Sequence, residues 1–120
     1  MDDGGVPDMR DVTSIDEFER SDVRVGKIIA VEAFPDARKP AYQLTLDFGP
    51  LGIRRSSAQI TVLYTREELV GRQVIAVLNF PPRRIAGFMS EVLVLGVPDA
   101  EGNVVLLEPE RSVPLGGRMF

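Results

Sequence analysis

The sequence predicts a small all-β domain: a barrel of five strands with short helices and an extension at each end. Three observations carry this expectation. The 120 residues suffice for one domain with one modest core. Apolar and polar residues alternate in five separate runs, the period of a half-buried strand. The one helical stretch in the middle of the chain falls between the third run and the fourth.

The elements follow in order. Residues 1–13 lack apolar periodicity and contain Gly4-Gly5 and Pro7, which predicts a disordered acidic leader ahead of a domain at 14–120. Ser14 and Glu17 have capping-box spacing, so a short helix is expected to about Arg20, burying Ile15 and Phe18. Val23 to Val31 is the first strand, with Gly26 as its expected bend or bulge. Pro35 to Pro40 is a turn bracketed by prolines. Tyr42 to Phe48 is the second strand and Ile53 to Ser57 the third, joined through Gly49-Pro50-Leu51-Gly52. Ser57 is an expected cap for a helix over Ala58 to Leu63. Thr65 to Glu68 forms a second capping box that opens a turn ending at Gly71. Gln73 to Asn79 is the fourth strand and Glu91 to Leu95 the fifth. Asp99 to Asn103 is a hairpin loop leading into Val104 to Leu107, and an extended tail follows from Ser112.

Five strands with a helix between the third and fourth match an OB-type barrel, a Greek-key barrel with a helix plugging one end. An SH3-like barrel or a small sandwich gives similar alternation, and the position of the helix favours the OB fold. A C-terminal hairpin and an N-terminal helix leave more apolar surface than one small barrel hides. These extensions are therefore expected to form the interface of a homodimer.

Composition excludes several chemistries. Neither cysteine nor histidine occurs, which removes disulfides, thiolate nucleophiles, Cys/His zinc sites and His-dependent triads. The acidic residues show no metal-ligand spacing and no acid–base pair, so no catalytic site, metal or cofactor is expected. The start Met1-Asp2-Asp3-Gly4 is unlike a signal peptide, and no apolar run approaches bilayer length. A cytoplasmic protein without membrane insertion is expected. The net charge of −4 is uneven: residues 1–22 carry eight acids and two bases, whereas the remainder carries ten acids and twelve bases. Of the fourteen bases, only Lys27 and Lys39 are lysine. The arginines present planar forks suited to carboxylates, phosphates and aromatic faces.

The segment from Asn79 to Gly96 is the most informative. An alternating run enters Pro81-Pro82, and Arg83 and Arg84 follow, flanked by Phe80 and Phe88. Proline fixes its own φ and restricts the residue before it, so such an elbow loses little entropy on binding. The guanidiniums either contact a ligand's carbonyl, carboxylate or phosphate, or pair with acids of the same or a partner chain. Phe34, Tyr42, Phe80 and Phe88 either form platforms for bases or apolar side chains, or belong to the core. Arg54 and Arg55 face opposite sides of the third strand. Arg55, with Ile53 and Ser57, is placed beside the core, and Arg54 with Ser56 on the outer face; the alternation does not decide which face binds.

Several segments resemble the tRNA-binding OB domain that occurs free-standing and appended to methionyl- and phenylalanyl-tRNA synthetases. They are Asp22 to Ile28, Phe34 to Ala37 and Tyr64 to Val74. At Ser56 to Ile60 and Asn79 to Phe88 the sequence is similar to the CsaA branch, a group of small export-related chaperones. In the tRNA binders the segment matching Gly87 onward usually reads Gly-x-x-Ser-x-x-Met-Leu. Here Ser90 stands at the serine position and Leu93 at the methionine position. The segment at Ser56 to Ile60 also departs from that branch, and both departures favour the chaperones. The resemblance implies a non-catalytic homodimer that binds unfolded or exported preproteins and the Sec translocase ATPase. The alternative is a tRNA-binding accessory protein. Expected ligand-binding residues are Phe34, Arg54, Arg55, Ser57, Asn79, Phe80, Arg83, Arg84, Phe88 and Ser90.

Overall fold

The computed structural model of the chain describes residues 9–120; residues 1–8, most of the expected leader, lie outside the described residues. Val23–Ala33 forms β1, Tyr42–Asp47 β2, Ile53–Ala58 β3 and Gln73–Val77 β4. The expected fifth strand, Glu91 to Leu95, shortens to two residues, and a hairpin that was not expected precedes it. Arg83–Ile85 (β5) and Phe88–Ser90 (β6) make a separate hairpin, and Leu93–Val94 (β7) joins the main sheet. Gly96–Pro98 (β8) and Val104–Leu106 (β9) form a second hairpin, whose loop is turned by Asp99 Oδ1 accepting from the Glu101 and Asn103 amides. The five-stranded sheet runs β3-β2-β1-β4-β7, all antiparallel, and curls into a nearly closed OB-type barrel.

The core collects the inward side chains of these strands, including Ile28, Leu44, Leu46, Phe48, Val74 and Ala76. Burying each large side chain contributes about 1.5–3 kcal/mol. One end is plugged by α2, Arg66–Leu69, whose Leu69 is fully buried. Thr65 starts this helix with the expected reciprocal capping box: its hydroxyl accepts from the Glu68 amide, and the Glu68 carboxylate accepts from the Thr65 amide at 2.7 Å. The Gly71 amide then donates to the Ile28 carbonyl at 2.7 Å and fixes the plug to β1.

Two local expectations in the barrel are corrected. Gly26 is no bend: it pairs in register with Val74. A Cβ there would lie 2.5 Å from the Phe48 ring, so glycine is needed for close approach across the core. The irregularity in β1 falls instead between Ile28 and Ala30. The helix expected over Ala58 to Leu63 does not form. Ala58 stays in β3 opposite Tyr42, and the β-branched run Ile60-Thr61-Val62 disfavours a helix. The Tyr42 hydroxyl donates to the Tyr64 carbonyl at 2.8 Å and so anchors the following turn.

At the N-terminus, α1 spans Ile15–Glu19 with Ser14 accepting from the Glu17 amide. The box is only half made, because Glu17 accepts from the Thr13 hydroxyl instead. Ile15 and Phe18 were expected to be buried but are 71% and 43% exposed. Polar contacts hold this helix: the Asn79 side-chain amide donates to the Arg20 carbonyl and accepts from the Asp22 amide, and Arg118 pairs with Glu19. The tail from Gly116 to Met119 pairs with Val23 and Val25 of its own β1, along the stretch of that strand that β2 leaves free. No helix among the described residues is long and apolar enough to cross a membrane.

Closure between β3 and the segment before β7 relies mainly on side chains, with one backbone bond. The Arg55 amide donates to Glu91 Oε1 at 2.9 Å, the Glu91 amide donates to the Arg55 carbonyl at 2.8 Å, and the Ser57 amide donates to Ser90 Oγ at 3.0 Å. The Ser56 hydroxyl, buried at 1% exposure, donates to the Val92 carbonyl at 2.9 Å.

Two expectations follow. Gly26→Ala should destabilise the domain by about 1–3 kcal/mol despite alanine's lower unfolded-chain entropy, because the Phe48 ring has to move. Urea unfolding checks this, and unchanged stability would contradict the close packing. Glu91→Ala should cost about 1–3 kcal/mol in the same measurement, with Glu91→Gln losing less because an acceptor for the Arg55 amide remains. Equal losses would argue against the closure bond.

Candidate binding cleft

The β5–β6 hairpin builds the site. Its two-residue turn places Ala86 at φ 46° and Gly87 at φ 82°, both left-handed as a tight hairpin requires. Cross-strand register puts Arg83 opposite Ser90, Arg84 opposite Met89 and Ile85 opposite Phe88. Strand alternation therefore gives one face Arg83, Ile85, Phe88 and Ser90, and the other Arg84 and Met89. The first face packs on the barrel. Phe88 is 7% exposed, meets the Phe34 ring edge-on at 5.4 Å, and lies beneath the Arg55 guanidinium at 4.6 Å. Phe34, Ala41 and Phe88 form a small second core with Ala37 and Ile85 at its margin.

This packing raises β5 over a cleft. The larger compartment, of about 500 Å³, has Ile60, Leu93, Val104 and Leu106 among its apolar lining and is edged by Arg38, Lys39 and Arg83. A smaller one of about 270 Å³ is bounded by Phe80, Pro81, Ser90 and Glu91. Ser57, Arg83, Ile85 and Leu93 line both, so the two adjoin. Arg38, Lys39, Arg83 and Arg84 make no ion pair among the described residues. Glu91, the acid in the lining, has its carboxylate engaged by the Arg55 amide. A third hollow contrasts with this. Near Arg72 and Arg111 about 430 Å³ is lined by polar groups, but there Arg72 pairs with Glu108 and Arg111 with Glu110.

The residues anticipated from sequence divide accordingly. Ser57, Phe80, Arg83 and Ser90 line the cleft, and Phe80 is 47% exposed. Arg84 is exposed on the outer face of the hairpin. Phe34 and Phe88 are buried beneath it. Arg55 stacks on Phe88 and reaches Glu32 and Gln43. Asn79 uses both ends of its amide at the α1–β1 junction. The facing of β3 is the reverse of the expectation. Arg54 and Ser56 oppose the core residues Leu46 and Leu44, whereas Arg55 and Ser57 face the hairpin. Arg54 turns its guanidinium to the Leu51 carbonyl at the barrel end. Sequence reasoning missed Arg38, Lys39, Ile60, Ile85 and Leu93. Arg38-Lys39 between two prolines was the available signal, but it was read only as a turn.

Known proteins are similar to this chain in sequence and fold. Residues 23–118 match the family model described as a putative tRNA binding domain. The crystal structure of chaperone CsaA from Bacillus anthracis str. Ames superposes with a TM-score of 0.85 at 50% identity, covering 92% of this chain and 100% of that one. CsaA chaperone protein from Picrophilus torridus gives a TM-score of 0.84 at 45% identity, over 91% of this chain and 100% of that one. Methionine–tRNA ligase of Thermococcus kodakarensis is 38% identical over 106 residues, which are 88% of this chain but 14% of the ligase. The chain thus spans a small part of the curated relatives it matches, 16% of the Methanococcoides burtonii ligase being another instance. An OB-type barrel closed through Ser90 and Glu91, matched over nearly its whole length, belongs to the putative tRNA-binding domain family and, within it, to the CsaA-type branch.

Proposed function

We propose that the chain is a non-catalytic cytoplasmic chaperone that holds unfolded segments of exported precursors in the cleft under the β5–β6 hairpin. One observation carries this reading: an open apolar floor bordered by cations that have no ion-pair partners among the described residues. Apolar walls shelter side chains exposed in an unfolded chain, and the guanidiniums take carbonyls or carboxylates. In this reading Ser57, Phe80, Arg83, Arg84 and Ser90 meet the client, while Phe34, Arg55, Phe88 and Asn79 hold the hairpin and its approach in place. The Sec translocase ATPase is the corresponding partner for handover. The likeness to CsaA chaperones supports the assignment.

A homodimer completes the proposal. In the β8–β9 hairpin Val97 pairs with Val105, and both are exposed on the face opposite buried Leu106. A symmetric contact through this hairpin would cover them. The second reading is tRNA binding. The family match favours it, as do Arg38, Lys39, Arg83 and Arg84, which have no ion-pair partner among the described residues, since such groups also take phosphates.

Fluorescence titration with an unfolded precursor peptide and with total tRNA, at low and high salt, separates the two. Peptide affinity is expected to survive added salt. Arg83→Ala with Arg84→Ala should weaken it roughly tenfold or more, with the thermal melt retained. Tight tRNA binding that falls steeply with salt, with no peptide binding, would overturn the chaperone reading. Sedimentation should give twice the 13.2 kDa chain mass, reduced to one chain by Val105→Asp. A monomer in the parent protein would refute the dimer.

A further inference from the structure

The β5 strand has an unused edge. Its sheet contains only β5 and β6. With a two-residue turn, the closing pair Ile85 and Phe88 exchanges both backbone hydrogen bonds, and antiparallel bonding then skips a rung. Arg83 and Ser90 are bonded, and Arg84 and Met89 are not. The Arg84 amide and carbonyl therefore point away from β6, and among the described residues neither takes part in a hydrogen bond with another element. The β6 strand lies on the β3 side, tied there through Ser90. Arg83 and Ile85, whose side chains line the cleft, thus place the open edge of β5 along it. Just before β5, Pro81 and Pro82 have no amide hydrogen. The edge offers one complete donor–acceptor pair, at Arg84, and then stops.

We propose that an extended client segment docks by antiparallel pairing with β5 at Arg84, and that its preferred pattern is apolar–acidic–apolar. This rests on the peptide-binding reading. In an added strand the residue opposite Arg84 shares its face, so a carboxylate there meets an exposed guanidinium with no ion-pair partner among the described residues. Its two neighbours point to the other face, into the cleft with Ile85 and Leu93. Arg38, Lys39 and Arg83 repel a basic segment and attract an acidic one. Main-chain pairing supplies affinity without regard to sequence, and the alternating pockets supply the preference. The two prolines restrict the ladder to one rung and keep the edge from templating a growing sheet.

The test uses an end-capped, fluorescent peptide with the core Val-Leu-Asp-Leu-Val. N-methylation of its Asp should weaken binding to the parent protein about tenfold, whereas N-methylation of either Leu should leave it near the parent value. On the protein side, Arg84→Ala removes the charge but keeps the amide; Arg84→Pro removes both, without breaking a hairpin bond. Arg84→Pro should bind about tenfold more weakly than Arg84→Ala, at comparable thermal stability. Equal binding by the two variants, with no position-dependent effect of N-methylation, would overturn edge pairing while leaving peptide binding intact. Failure of the unmodified peptide and of an unfolded precursor to bind the parent protein would refute the functional reading itself. The N-methylation series decides the matter should Arg84→Pro fail to fold.

Discussion

The closure of β3 against the chain before β7 is the constraint on which the rest depends. A five-stranded sheet with an unjoined seam exposes edge amides, and three consecutive residues of β3 meet this with partners across the gap. The Glu91 carboxylate and the Ser90 hydroxyl take the Arg55 and Ser57 amides, and the Ser56 hydroxyl reaches the Val92 carbonyl. Side chains provide all but one of these bonds, the Glu91 amide to the Arg55 carbonyl being the exception, so the closure is short and leaves neighbouring space open. The β5–β6 hairpin leads directly into the seam residues and is fixed by them. It stands over the barrel, and the cleft lies beneath it. Fold stability and site geometry therefore share the same hydrogen bonds.

The electrostatics of the site run against the net charge. The chain carries −4, but its acids concentrate in residues 1–22 and the remainder is mildly basic. Within that remainder, ion pairs occupy Arg24, Arg55, Arg72, Arg111 and Arg118, and the cations at the cleft have no ion-pair partner among the described residues. Burial divides the aromatic residues in the same way. Phe34 supports the hairpin through Phe88, on which Arg55 stacks, while Phe80 remains at the surface. Local placement, more than total charge or aromatic content, decides which groups can meet a ligand.

Much of the barrel was legible in the sequence because local and tertiary signals agree there. Alternation marked β1 to β4, the Thr65 box marked α2, and Asp99 to Asn103 marked the second hairpin. Sequence failed where a distant group decides. Nothing near Gly26 announces the Phe48 ring. Leu44 and Leu46, not the pattern of β3 itself, turn Ser56 inward and Arg55 outward. Ala86-Gly87 is a weak turn signal, so the elbow was anticipated but its hairpin was not. The cleft was only half visible: Phe80, Arg83 and Ser90 stand out in the Asn79 to Gly96 segment and Ser57 in the Ser56 to Ile60 segment. Ile60 and Leu93 lie in the same two segments but carry no chemistry that marks them, and Arg38 and Lys39 come from a turn that meets the cleft only after folding.

The most direct measurement of the central claim is a map of backbone amide chemical shifts while an unfolded precursor peptide is added to the isotopically labelled protein. The expected result is a contiguous set of shifts at Arg38, Lys39, Ser57, Ile60, Arg83, Ile85 and Leu93, with the surface around Arg72 and Glu108 silent. Shifts gathered at Arg72 and Glu108, with the residues under the hairpin unmoved, would contradict it.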